Sequence, residues 1–194
     1  MSGRVYLDHN ATTPLRDEAR IAMVAAMDVV GNPSSVHSEG RESKFIVENA
    51  RSQISKAFGV GAHDIVFTGS ATEAAALALK DYEFQAGDIE HDSVAAWIRP
   101  DLPVASGAVQ VSDPAITALQ MANSETGILQ SVPDGLAFCD MTQAFGKLPT
   151  SFNWSGARMG CASAHKLGGP KGVGCLLLKP GQGLTSQIRG GGQE

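Results

Sequence analysis

Apolar positions recur at helical spacing twice near the start of the chain. From Asp17 an alanine- and valine-rich run extends to about Val30 and stops at the breaker cluster GNPSS (31–35). From about Gly40 to Phe58, residues Ile46, Val47, Ala50, Ile54, Ala57 and Phe58 return to one face, and Gly59 stands where a C-terminal cap belongs. The fifteen residues ahead of these helices read as an arm, with a short strand RVYLD (4–8) followed by the polar turn HNATTP (9–14).

The period then changes. DIVFT (64–68) is a short β-branched strand, followed by a turn and an alanine-rich helix, which is the first half of a βα unit. Further strand candidates are YEFQAGDIE (82–90), GAVQVS (107–112), AITALQMAN (115–123), GLAFCDM (135–141), ARMGCASA (157–164) and GVGCLLLKP (172–180), with a helix DSVAAWI (92–98) after the first. Several are apolar throughout, as strands covered on both faces are. The predicted fold is α/β, a mostly parallel sheet flanked by helices. Two connections break the alternation, one between GAVQVS and AITALQMAN and the other SETGILQSVPD (124–134) between AITALQMAN and GLAFCDM. Parallel neighbours need a crossover of about a dozen residues, yet only Asp113-Pro114 separates GAVQVS from AITALQMAN. Either one of those two strands is antiparallel, or GAVQVS lies outside the sheet.

Composition narrows the functional classes. The chain has 194 residues, 43% of them hydrophobic and 18% charged, which suits one domain with a buried core. A net charge of -5 with no basic face argues against nucleic acid or an anionic membrane as partner. The N-terminus has no apolar signal core and no stretch approaches the ~18 apolar residues of a membrane span, so the expected location is cytoplasmic. Cys139, Cys161 and Cys175 each lie in an apolar run and read as buried thiols. Neither they nor the five histidines have metal-ligand spacing, so no metal site is expected.

Polar residues collect at the carboxyl ends of the predicted strands, where open α/β sheets bind ligands. Thr68-Gly69-Ser70-Ala71-Thr72-Glu73 joins a strand to a helix, and its exposed amides suit a phosphate as well as an ordinary N-cap. GLAFCD ends in Asp140, with Gln143 one turn later; a buried carboxylate there calls for a cationic or proton-donating partner. His91 can cap the helix after it or lie flat against an aromatic ligand. Lys166 ends ARMGCASAH, and Gly168, Gly169, Gly172 and Gly174 leave room for a close approach to the backbone. One ligand satisfies all of these: a phosphate at 68–73, a ring under His91, a ring nitrogen facing Asp140 and an aldehyde joined to Lys166. That ligand is pyridoxal 5'-phosphate.

The stretches VYLDHNATTP, GNPSSVHSEGR, IVFTGSATEAAALALK, EHDSV, ANSETGILQ, CDMTQAFGKLP, SAHKLGGPKGVG and the terminal GGGQE span nearly the whole chain. In order and wording they resemble the cysteine desulfurases of the class V aminotransferase family. The resemblance implies a fold type I pyridoxal-phosphate transferase, normally a homodimer, with a seven-stranded sheet in its large domain. Residues 1–15 would be an arm belonging to the small domain and residues 16–194 the cofactor-binding large domain, with some crossover helices shortened. Carried over by position, the resemblance makes Lys166 the Schiff-base lysine, His91 the ring-stacking and proton-transfer residue, and Asp140 the partner of the ring nitrogen. Ser124 and Gln143 fall on the ring's hydroxyl side, and Ala71, Thr72, Ser163 and His165 hold the phosphate. The implied reaction converts L-cysteine to L-alanine. Its sulfur passes to an enzyme cysteine as a persulfide, then to a scaffold protein for iron–sulfur cluster or other sulfur assembly.

The chain departs from that pattern in three ways. The family's Asn-Asn-Glu-x-Gly reads Asn123-Ser124-Glu125-Thr126-Gly127, which puts a shorter donor at Ser124. The family pattern would continue past Glu194 into a loop that reaches the partner subunit, the rest of the small domain, a substrate-binding arginine and the catalytic cysteine. None of Cys139, Cys161 and Cys175 aligns with that cysteine, so a truncated portion without the sulfur acceptor is expected. Finally, the short connections fall where the family has helices, so part of one sheet face is expected to be bare or covered by a neighbour. A class V aminotransferase or lyase, and a non-catalytic binding module on the same fold, are the alternatives.

Overall fold

The computed structural model describes residues 3–190. Its helices are α1 (Asp17–Met27), α2 (Ser38–Phe58), α3 (Ala71–Leu79), α4 (Asp92–Ala95) and α5 (Phe152–Ser155). Its strands are β1 (Ile65–Thr68), β2 (Phe84–Gln85), β3 (Ile98–Arg99), β4 (Val104–Ala105), β5 (Ala108–Val109), β6 (Ala118–Gln120), β7 (Phe138–Asp140), β8 (Met159–Ser163) and β9 (Gly174–Leu178). Helix α2 follows the apolar periodicity and ends as its sequence dictates, on Gly59 at φ 68°, a left-handed cap that costs glycine little.

Five strands form the main sheet in the order β1-β9-β8-β7-β6. A single parallel bridge from Gln85 to Thr117 appends the parallel pair β2-β3 beside β6. Strands β6, β7 and β8 are mutually parallel, while β9 is antiparallel to both β8 and β1. Six strands therefore run one way and β9 alone opposes them, which is the mostly parallel mixed sheet expected of a fold type I large domain. The implied seven strands are present as five plus two.

Every residue of β6, β7, β8 and β9 is buried. Side chains alternate between two cores, as the two-residue period of a strand requires. Leu119, Cys139 and Leu177 face one core with Phe58, Leu136 and Phe152. Ala118, Phe138, Met159 and Leu176 face the other, against the alanines of α3. Ala74, Ala75 and Ala78 are fully buried, and their small side chains let α3 lie close on β8 and β9.

Several expectations are corrected here. The arm forms no strand at RVYLD; residues 3–8 are irregular, and the turn follows at 9–11. Helix α1 stops at Met27 and buries none of its residues, leaving Ile21, Val24 and Met27 exposed. Of the two alternatives left open for GAVQVS, the second holds, since it lies outside the main sheet: Ala108–Val109 pairs with Val104–Ala105 in a separate antiparallel hairpin. The helix expected at 92–98 ends at Ala95, and Ile98 joins β3 instead. No bare sheet face is found across β6 to β9. The 121–137 crossover contains no helix, but Val132 and Leu136 from it, with Phe145, Leu148 and Phe152, pack where helices were expected. Among the described residues no helix is long and apolar enough to cross a membrane. The end of GGGQE, residues 191–194, lies outside the described residues.

Candidate active site

Strand register brings the site together. Thr68 of β1 and Ser163 of β8 both face Gly174 of β9, so the turn after β1 lies beside the end of β8. Glycine is needed there: a Cβ on Gly174 would fall 2.6 Å from the Ser70 carbonyl carbon and 2.9 Å from the Ala71 nitrogen. The turn is closed by its own sequence. Ser70 Oγ accepts from Glu73 N at 3.1 Å, and Glu73 Oε2 accepts from Gly69 N at 2.6 Å. This reciprocal cap leaves the first amides of α3, from Ala71 and Thr72, aimed outward at the helix's positive end.

Two residues inward along β8, Asp140 of β7 lies between Gln120 of β6 and Cys161 of β8. It is buried, and its Oδ1 accepts from Thr142 N at 2.9 Å and from the Cys161 thiol at 3.5 Å. His91 caps α4, with Nδ1 3.1 Å from Ser93 N and 2.8 Å from Ser93 Oγ, while its ring remains exposed. Both roles considered for His91 are thus geometrically open to it at once.

After β8 the chain makes a 3-10 turn at Ala164–Lys166. Lys166 Nζ donates to the carbonyls of Asn10 at 2.5 Å and Ala11 at 3.0 Å. Burial lowers its affinity for a proton, against the opposing pull of Asp140, Asp8 and Glu125. His165 is likewise shifted down, by burial first and then by Lys166 and Lys171. Gln143 Nε2 donates to Asn10 O at 2.9 Å, Lys147 Nζ donates to Gln143 Oε1, and Asn10 Nδ2 donates to Ser124 O at 2.8 Å. Ser124 Oγ itself turns to Glu125 Oε1 at 3.1 Å.

All nine site residues named from the sequence, Ala71, Thr72, His91, Ser124, Asp140, Gln143, Ser163, His165 and Lys166, line one cleft of about 200 Å³. A second, polar basin of about 480 Å³ shares His91, Ser124, Gln143 and Lys166 with it and is walled by Leu7 to Ala11 of the arm. Among the described residues no group of His, Cys, Asp and Glu gathers as metal ligands would. Gly168, Gly169 and Gly174 serve packing rather than access, whereas Gly172 faces open space at φ 80°. A Cβ on Gly168 would meet the Arg16 side chain at 2.4 Å, and one on Gly169 would meet Ala164 at 2.7 Å. Asn10, Lys147, Gln120 and Glu90 were not singled out from the sequence. Asn10 lies in a stretch quoted for the resemblance, but its contacts cross more than a hundred positions and leave no local signal.

The model of the family described as aminotransferase class-V matches residues 5–97 and 106–194. A cysteine desulfurase of Frankia sp. (strain EuIK1) is 33% identical over 237 residues, covering 98% of this chain and 57% of that protein. An IscS-like cysteine desulfurase of Mycobacterium tuberculosis is 32% identical, covering 97% of this chain and 59% of the relative. The matched 237 residues exceed the 194 of this chain, so the relative carries extra residues between shared stretches, in keeping with shortened crossovers. A solved structure named as a NifS-like protein superposes with TM-score 0.89 at 29% identity, covering 98% of this chain and 63% of that one. Another, described as SspA in complex with cysteine, has TM-score 0.87 at 27% identity. The chain spans about three fifths of the length of these curated relatives.

Proposed function

The chain belongs to the class V aminotransferase family, and from that premise we propose that it is the pyridoxal-phosphate-binding portion of a cysteine desulfurase. One observation carries the reading: a lysine amine, a buried carboxylate, an imidazole and a capped helix N-terminus meet around one cleft. Family resemblance had named these residues from positions up to ninety-five apart in sequence, Ala71 to Lys166.

The donor set fits the cofactor. Ala71 and Thr72 at the positive end of α3, with Ser163 and His165, offer amide, hydroxyl and ring donors to a phosphate. His165 is biased toward its neutral form, which keeps one ring N–H to donate. Asp140 meets the condition for holding a protonated ring nitrogen, since it is buried and already oriented by two donors. His91 would cover the ring face, with Gln143 and Ser124 on its hydroxyl side. When bound, pyridoxal phosphate supplies an aldehyde for an amine and a ring that withdraws electrons from the substrate's Cα. Lys166, with its proton affinity lowered by burial, is the amine poised to join that aldehyde and to accept the Cα proton. To do so it must leave the Asn10 and Ala11 carbonyls, which makes the arm a wall of the site.

L-cysteine is the proposed substrate, with L-alanine as product and the sulfur passed on to a scaffold protein. Residues 16–194 make the large domain and the arm at 1–15 belongs with a small domain, in a cytoplasmic homodimer. The accepting thiol is none of the three cysteines described. Each is buried, and burial raises all three: Cys175 to about 12, Cys139 and Cys161 well above the ordinary thiol range. Those thiols favour a second reading, an aminotransferase or lyase of the same family that needs no cysteine.

Two measurements test the proposal. Borohydride treatment of cofactor-loaded protein should fix the cofactor covalently to Lys166, and Lys166→Ala should retain none. A stable adduct in that variant would overturn the lysine's role. Incubation with L-cysteine should then give alanine and sulfide in the presence of a thiol reductant; a keto acid instead would favour the second reading.

A further inference from the structure

Glu90 is the buried acid that the site described above does not use. It follows β2, immediately precedes His91 and is 8% exposed. Its Oε1 accepts from Gln120 N at 3.0 Å. Its Oε2 is buried with no hydrogen-bond partner, the one such side-chain atom identified among the described residues. The Gln120 it holds pairs in register with Asp140, and Gln120 lines the cleft. Gln120 and Asn123 also donate to the carbonyl of Ile89, so the 89–91 segment is tied to the end of β6 at three points.

Two ionised carboxylates cannot comfortably share such a place. Asp140 has Thr142 N and the Cys161 thiol to stabilise its charge, whereas Glu90 has a single amide. The groups that bear on Glu90 add no cation: Asp140 and the Cys139 thiol on β7 and the neutral Gln120 on β6, while His91, next along its own segment, is turned to Ser93. An uncompensated buried charge is far costlier than a neutral carboxyl with one idle oxygen.

We propose that Glu90 is a positioning residue that works as a neutral carboxylic acid, fixing Gln120 and the His91 step while leaving Asp140 as the single anion of the cleft floor. Its role toward the bound cofactor rests on the reading given above; its protonation does not. Burial raises Glu90 from 4.5 to about 8, with the charge of Asp140 adding to the rise and the Gln120 amide opposing it. The sign for stability follows. The unfolded chain releases this proton from 4.5 upward and the folded chain only near 8, so the contribution is fully present below 4.5 and is lost as pH climbs toward 8.

The test uses the full chain, its Glu90→Gln variant and its Asp140→Asn variant. With carboxyl-13C glutamate, one resonance should titrate near pH 8 in the wild type, vanish in Glu90→Gln, and shift its midpoint to lower pH in Asp140→Asn. Glu90→Gln should also lack the wild type's fall in urea midpoint between pH 5 and pH 8. The dissociation constant for pyridoxal phosphate, compared at pH 7 and pH 9, should then rise at least threefold more in the wild type than in Glu90→Gln. A merely structural glutamate would not produce that difference. A Glu90 that ionises as an ordinary surface carboxyl, or a midpoint indifferent to Asp140→Asn, overturns the proposal, and so does the same pH dependence of cofactor affinity in both proteins. If no form binds pyridoxal phosphate, the functional reading fails, while the carbon resonances and urea midpoints still decide the state of Glu90.

Discussion

Lys166 and His165 share a three-residue turn, and burial lowers the proton affinity of both, although their neighbours differ. Lys166 gains two carbonyl acceptors from the arm, while His165 Nδ1 sits 3.1 Å from Thr12 Oγ1 and near two lysines. Because the fold disfavours a proton on His165, the unfolded chain takes one up first as pH falls below 6.5. Stability from this residue is therefore present above that value and lost on acidification. His165→Gln should lose less of its urea midpoint than the wild type between pH 7.5 and pH 5, with both measured in one buffer series. At this scale the sequence was informative where motif order carried the residue, as for Asp140 and Lys166. It was silent on Asn10 and Glu90, whose importance comes from neighbours in space: Ser124 and Gln143 for one, Gln120 and Asp140 for the other.

Elements were legible where one face faces one core. Helix α2 and the cap at Gly59 follow from periodicity and a breaker. The β1 turn follows from Ser70 and Glu73, which close on each other as their spacing implies. Ser70→Ala should therefore cost about 1 kcal/mol in chemical denaturation, the usual worth of an N-cap side chain. It should also weaken pyridoxal phosphate binding, because the amides of Ala71 and Thr72 lose their fixed direction. Gly174→Ala should be worse than Ser70→Ala on both counts, since its Cβ meets backbone that cannot yield. Pattern failed for the short pieces. Val5 and Leu7 alternate like a strand, but both are exposed and the arm is held instead by polar ties, Thr13 N to His165 O at 2.8 Å and Arg16 N to Gly168 O at 2.9 Å. GAVQVS has a strand-like pattern, but Ser106 at φ 51° and Gly107 at φ 79° reverse the chain in a two-residue turn and pair it with Val104–Ala105 instead of the main sheet.

For the molecule as a whole, the absent crossover helices were readable from the short connections between strands, but their replacement was not. Phe152, fully buried in a four-residue helix, and Leu136, fully buried in a loop, fill the space. No regular period marks either one, so only the packed structure reveals them. Phe152→Ala should cost about 3–5 kcal/mol, as large-to-small changes in a core do. Calorimetry would check it, with loss of more than half the cofactor-binding capacity expected at 37 °C. The apolar side of α1 is a different matter: Ile21, Val24 and Met27 contribute nothing to either core. Replacing Val24 by Lys should change the unfolding free energy of the chain, measured by urea denaturation, by no more than the usual surface range of about 0.5 kcal/mol.

The pairing of β1 with β9 across more than a hundred residues bears on the order in which this sheet can be assembled. Ile65 pairs with Leu177, so β1 waits for β9 to be made before its edge is satisfied. Such distant pairing is slow to find, and an unfinished chain carries raw edges until then. Nascent chains arrested before Gly174 would lack both the partner of β1 and the surface against which residues 70 and 71 are moulded. If the proposed cofactor binding holds, it should wait until Gly174–Leu178 has been made, and a ribosome-bound fragment ending at Lys171 should stay colourless in a medium rich in the coenzyme.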